Sequence, residues 1–163
     1  MNTSEIYRFL DGFLPCTVIK SWLVLPLDQA KLKLKQKPKH PRVIVINTLK
    51  SNENGVGHWI CCIQINTTSV FFCSFGNSAK SYGLNHHITM ENVLKLQAIG
   101  SILCGVYVIW FIYYFVMHRS VKPIKKLFKR NTRQNDKIVV KLFKKIRFCK
   151  SSFRRTIKNV QVG

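Results

Sequence analysis

A histidine, a glutamine and a cysteine–glycine pair carry the chemistry most open to reading in this chain. His58 stands in Gly57-His58-Trp59, and Gln97 precedes Cys104-Gly105 by seven residues. A thiol becomes a nucleophile when a base takes its proton, and imidazole is the base best matched to neutral pH. A cysteine that opens a helix also feels the partial positive charge of unpaired backbone N–H groups, which favours thiolate. Gly105 leaves room for a substrate backbone or a helix beside the sulfur. The Gln97 amide, with the Cys104 backbone N–H, suits a developing oxyanion. Together these are the parts of a thiol peptidase. Taken singly, each has a plainer reading: Cys104 as a buried small hydrophobe, His58 as a surface histidine against Trp59, Gln97 as polar surface.

The surrounding elements must bring these residues together. Residues 4–14 place Ile6, Phe9, Leu10 and Phe13 at helical spacing, with Ser4 as the expected cap and Pro15 as the break. Residues 22–27 are apolar and closed by Pro26. From Lys31 to Lys39 lysine recurs at every second position, which reads either as an edge strand or as an exposed loop. Residues 43–48 are β-branched and strand-like, and so is the segment starting at His58. Residues 66–69 form a tight turn, and the segment from Val70 to Phe75 is the hairpin partner, stopped by Gly76. Residues 90–97 read as a helix or a short connection. Ser101 to Met117 is one long apolar element, closed by His118, Arg119 and Lys122, where positive charge suits a helix C-terminus. Two basic amphipathic helices follow, separated near residues 131–135. The pattern is α+β: a small, mostly antiparallel sheet flanked by helices, with the long helix buried against it. No repeat is visible.

Length allows one domain with a real core. Six cysteines form no CxxC pair, so free thiols in a reducing compartment are expected and a zinc site is not. Glu5, Arg8 and Asp11 interrupt any signal-like apolar run at the start. The net charge of +21 is concentrated at one end. Residues 119–163 hold 16 basic residues and 1 acidic one, against 11 and 5 in residues 1–118. The chain therefore divides into a core, 1–118, and a basic helical segment, 119–163. Lys122, Lys125, Lys126, Lys129, Arg130, Lys144, Lys145, Arg147, Arg154 and Arg155 are the expected contacts to a polyanion.

Gly57-His58-Trp59, the segment Phe72-Cys-Ser-Phe-Gly76, and Gln97 before Cys104-Gly105 together resemble the adenovirus-type cysteine peptidases. The resemblance is closest to those of Maverick/Polinton transposons and their adenovirus-like viral relatives. The order His, acid, Gln, Cys is also that of the SUMO-peptidase-like clan. Residues 43–48 and the segment from Asn135 to Val139 extend the similarity.

The resemblance implies a papain-like or SUMO-peptidase-like fold with His58 as general base, Cys104 as nucleophile and Gln97 as oxyanion donor. It implies precursor proteins of capsid or core as substrates, no required cofactor, DNA as an activator, a monomer, and residence in the host nucleus or the virion. One position departs. The family places Asp or Glu two residues before the Phe-Gly pair, and here Cys73 stands there. A neutral thiol neither fixes the imidazole tautomer nor stabilises imidazolium as a carboxylate does. Three outcomes are open: a weaker Cys104–His58 dyad, a ring oriented by Ser74 or Asn77, or a copy without activity.

Two rival readings stand beside it. Ala98 to Met117 is twenty residues without charge, followed by a basic flank, which meets the criteria for a single membrane-spanning helix with a basic tail. The tail alone also reads as a non-catalytic nucleic-acid-binding module, although no zinc-finger, helix-turn-helix or RNA-binding signature accompanies it.

Overall fold

The computed structural model describes residues 1–14, 17–84, 88–121 and 124–160, apart from the side chains of 125 and 147–160. The fold is α+β, with a five-stranded sheet flanked by helices. The elements run α1 (Thr3–Phe13), β1 (Ser21–Pro26), α2 (Leu27–Lys35), β2 (Arg42–Asn47), β3 (Trp59–Ile65) and β4 (Thr68–Phe72). A 3-10 turn (Ala79–Tyr82), β5 (Met90–Glu91), α3 (Cys104–His118), α4 (Ile124–Leu127) and α5 (Thr132–Val160) follow.

The strands lie in sequence order, but the sheet is mixed rather than mostly antiparallel. β2–β3 and β3–β4 are antiparallel, whereas β1–β2 and β4–β5 are parallel. The parallel β1–β2 pair follows from α2, which supplies the crossover that parallel neighbours require. α2 itself corrects the reading of residues 31–39 as a strand or loop. Leu27, Ala30 and Leu34 recur at three and four residues, and Ala30 and Leu34 are buried on Ile44 and Ile46. Asp28 lies in its first turn and Lys33 and Lys35 in its last, each sign matching the helix dipole. The alternating lysines hid this face because the apolar period begins upstream of them, at Leu27. The guanidinium of Arg42, nearly buried, donates to the carbonyls of Lys33 and Gln36 and so closes the C-terminus of α2.

α1 is capped by Asn2, not Ser4. Asn2 Oδ1 accepts from Glu5 N–H, and Glu5 returns the bond to Asn2 N–H. Asn66 takes a left-handed φ of 54° in the β3–β4 turn, a conformation asparagine tolerates.

The sheet has two unequal faces. On one, Val43, Val45, Trp59, Cys61, Ile63, Val70 and Phe72 meet α1, α3 and α5. Phe72 stacks on Phe111 with ring centroids 4.2 Å apart, and Phe128 packs edge-on against Trp110 at 4.8 Å. On the other face Ile44, Ile46, Ile60, Cys62, Phe71 and Cys73 meet α2 and the 3-10 turn in a smaller cluster.

α3 corrects the membrane-spanning reading. Gly100 turns the chain at φ 78°, so residues 98–103 are not helical and α3 has only 15 residues. Among the described residues no helix is long and apolar enough to cross a membrane. Its apolarity on every side comes from being covered by β3, α1 and α5. Residues 90–97 hold the two-residue β5 and irregular chain. α5 is tied to the core by Asn135 and Asp136. The buried Asn135 amide donates to the carbonyls of Leu96 and Lys129, and Asp136 Oδ1 accepts from the Tyr107 hydroxyl at 2.9 Å.

Candidate active site

His58 immediately precedes β3 and is held by the neighbouring strand's end. Its N–H donates to Thr48 Oγ1 at 2.8 Å, and its carbonyl accepts from Thr48 N–H at 2.9 Å. Gly57 is needed before it, because the Asn47 side chain occupies the space a Cβ would fill. The imidazole stacks on Phe75 with centroids 4.5 Å apart. Burial lowers its pKa to about 4, so at neutral pH the ring is uncharged. Among the described residues no carboxylate forms a hydrogen bond or ion pair with it.

What touches the ring is Cys73. Its buried Sγ lies 3.4 Å from His58 Nε2 and 3.5 Å from the Tyr82 hydroxyl. Asn77 Nδ2 donates to the same hydroxyl at 3.1 Å. Burial, then the contact with Cys73, pushes the Tyr82 phenol up to about 12. The 3-10 turn that carries Tyr82 is anchored at its start by Glu91, which accepts from Ala79 N–H at 2.8 Å. Gly83 closes it at φ 67°. Asn77 therefore reaches the ring only through Tyr82 and Cys73.

Ser74 lies in the turn after β4 and bonds to Gln97, not to His58. Its hydroxyl donates to Gln97 Oε1 at 2.6 Å, and its carbonyl accepts from the N–H groups of Leu96 and Gln97. Gln97 is fully buried, and its Nε2 donates to the carbonyl of Ser101 at 2.6 Å. The amide thus fastens the turn 97–101 that leads into α3.

Cys104 is the first residue of α3 and is half-buried. The close neighbour of Gly105 is Met1: a Cβ added at Gly105 would lie 2.9 Å from the Met1 Cβ. The Met1 carbonyl in turn accepts from Trp59 Nε1 at 3.0 Å. The start of β3, the end of β4 and the start of α3 are therefore laced together at one end of the sheet. One lacing runs through Met1 and the other through Ser74, Gln97 and Ser101. Cys73 belongs to the α2-side cluster, whereas Cys104 borders the α3-side cluster. No hydrogen bond joins Cys104 to His58 among the described residues.

Tyr82, Thr48 and Met1 were not singled out by the sequence. Nothing in their spacing marks them, since each acts through a partner brought close only by the fold. Val56, fully exposed, lies two residues before His58. Ile99 and Ile102, both 83% exposed, lie just before Cys104. A cleft of about 390 Å³ opens beside Trp59, lined also by Thr3, Pro26, Gln29, Asn47 and Ser51, and includes neither His58, Cys73 nor Cys104.

Among the expected polyanion contacts, Lys126, Lys129, Arg130, Lys144 and Lys145 are exposed, and Arg133, Lys137 and Lys141 extend their row along α5. Lys122 and the side chains of Lys125, Arg147, Arg154 and Arg155 lie outside the described residues. Among the described residues no group of three or more His, Cys, Asp or Glu side chains is arranged to hold a metal ion. Comparison of the chain with protein-family models and with curated proteins finds no match.

Proposed function

We propose that the chain is a cysteine endopeptidase of adenovirus-like type, with Cys104 as nucleophile and His58 as its base. Its rate is lowered because Cys73 stands at the position of the acid. The observation that carries this reading is the 3.4 Å approach of Cys73 Sγ to His58 Nε2. The residue found where the resemblance expects a carboxylate is the one resting on the imidazole; in this reading Nδ1, when it carries no proton, is the nitrogen that serves Cys104. The lacing of β3, β4 and α3 at that end of the sheet supports it further.

With the ring neutral and, among the described residues, no carboxylate bonded to it, a standing thiolate–imidazolium pair is disfavoured. The proton of Cys104 passes to His58 as the sulfur attacks the substrate carbonyl. His58 then gives it to the leaving amine, and water attacking with His58 as base releases the thioester. Nucleophile–base bonds are often long before substrate binds and tighten in the complex. The Cys104 N–H serves the oxyanion at once, whereas the Gln97 amide does so only on releasing the Ser101 carbonyl. Val56, Ile99 and Ile102 offer apolar contacts to an extended substrate such as a capsid or core precursor.

A thiol-directed peptide probe tests the reading. Labelling at Cys104, mapped by mass spectrometry and abolished in His58→Ala, is expected; an unlabelled wild type sinks it in favour of a non-catalytic protein. The exposed row from Arg133 to Lys145 supports a second role, contact with nucleic acid through phosphates, which would serve as activator. Binding to mixed-sequence DNA should then weaken steeply with salt, and salt-insensitive binding refutes it.

A further inference from the structure

We propose that Tyr82 is a positioning residue that fixes the tautomer of His58 by accepting the thiol proton of Cys73, a relay standing in for the missing carboxylate. This deepens the peptidase reading and rests on it. Three contacts carry it: Asn77 Nδ2 to Tyr82 Oη at 3.1 Å, Tyr82 Oη to Cys73 Sγ at 3.5 Å, and Cys73 Sγ to His58 Nε2 at 3.4 Å.

The direction of the protons decides whether His58 is a base. If Cys73 S–H donates to Nε2, the ring's own proton sits on Nδ1 and the nitrogen meant for Cys104 is blocked. If Nε2–H donates to Sγ instead, Nδ1 is bare, and the thiol proton must find another acceptor. Tyr82 Oη is the acceptor within reach. It takes the N–H of Asn77 on one lone pair and has a second for the thiol, while its own proton turns outward on the partly exposed side of the ring. Burial alone disfavours the phenolate, so the phenol does not surrender its proton to the chain. Glu91 and Gly83 fix the turn that presents Tyr82, so the acceptor is fastened to the sheet rather than to a free loop.

The test uses the full chain carrying isotope-labelled histidine. The nitrogen resonances of His58 at neutral pH are expected to report the Nε2–H form. Tyr82→Phe keeps the ring that packs on Phe71 but removes the acceptor. It is expected to move the population toward the Nδ1–H form and to slow probe labelling of Cys104 about tenfold, the usual scale for one lost hydrogen-bond partner. In a Cys73→Asp background the carboxylate takes Nε2–H directly, so adding Tyr82→Phe should change neither readout. A wild-type ring in the Nδ1–H form, or a tautomer unmoved by Tyr82→Phe, overturns the relay. Absence of labelling in the wild type overturns the peptidase reading instead, and the tautomer measurement, which needs no activity, tells the two failures apart.

Discussion

The two faces of the sheet do different work. The α3 face is a deep core of stacked aromatics, with α5 pinned to it by fully satisfied buried polar groups. The α2 face is smaller and ends in a polar chain of weak, sulfur-containing contacts around His58. Stability is concentrated where apolar area is largest, and in the proposed reading the α2 face supplies the base while Cys104 borders the other face. Damage to one face should therefore register in unfolding, and damage to the other in reactivity.

Phe111→Ala should show the largest effect. It removes the partner stacked on Phe72 and leaves a cavity, at a cost of about 4 kcal/mol, read as a lower midpoint in urea. Next, His58→Ala should slow probe labelling of Cys104 by about a hundredfold, the scale of a lost general base. The same variant should move the urea midpoint far less than Phe111→Ala does. If it unfolds the protein just as badly, the division between the faces fails. Asn135→Ala should cost about 2 kcal/mol, because it removes the amide donor from the buried carbonyl of Leu96 and the side chain that bridges Lys129 N–H and C=O. Hydrogen exchange in α5 should rise while His58 keeps its resonance.

The smallest effect concerns pH. His58 titrates near 6.5 when unfolded and about 4 when folded, so between those values only the unfolded chain takes up its proton. The stability that the neutral ring contributes is complete above pH 6.5 and falls as pH drops toward 4. Allowing for the exposed part of the ring, the loss is on the order of 1 to 2 kcal/mol. His58→Gln should flatten that slope in acid titrations followed by fluorescence, and an unchanged slope would assign it elsewhere.

Much of the scaffold was legible because its periods are strong. Ile6, Phe9 and Leu10 mark α1; the runs around Val43 and Ile60 mark β2 and β3; Asn66 marks the hairpin turn. The break expected at residues 131–135 falls earlier, at 128–131: residues 132–135 already belong to α5, and Asn131 Oδ1 accepts from Gln134 N–H at its start. α2 was hidden by lysines laid over its apolar face, and the length of α3 by an apolar run that continues through a glycine turn. At the site, the resemblance pointed to Cys73 as the neighbour of His58. It did not point to Tyr82, because a contact across nine residues and a 3-10 turn leaves no periodic trace. Gln97 and Ser74 drew attention for their chemistry, but the fold turns them toward each other.

The bonding of His58 to Thr48 has a consequence for how this molecule can change. The imidazole is registered by the end of β2, at backbone and hydroxyl, and not by the stretch from Lys50 to Val56 that bulges between the two strands. Provided Gly57 is kept beside Asn47, that bulge can be lengthened or replaced while the ring stays put. The sequence of that bulge can therefore be exchanged without unseating the imidazole, whatever the ring turns out to serve.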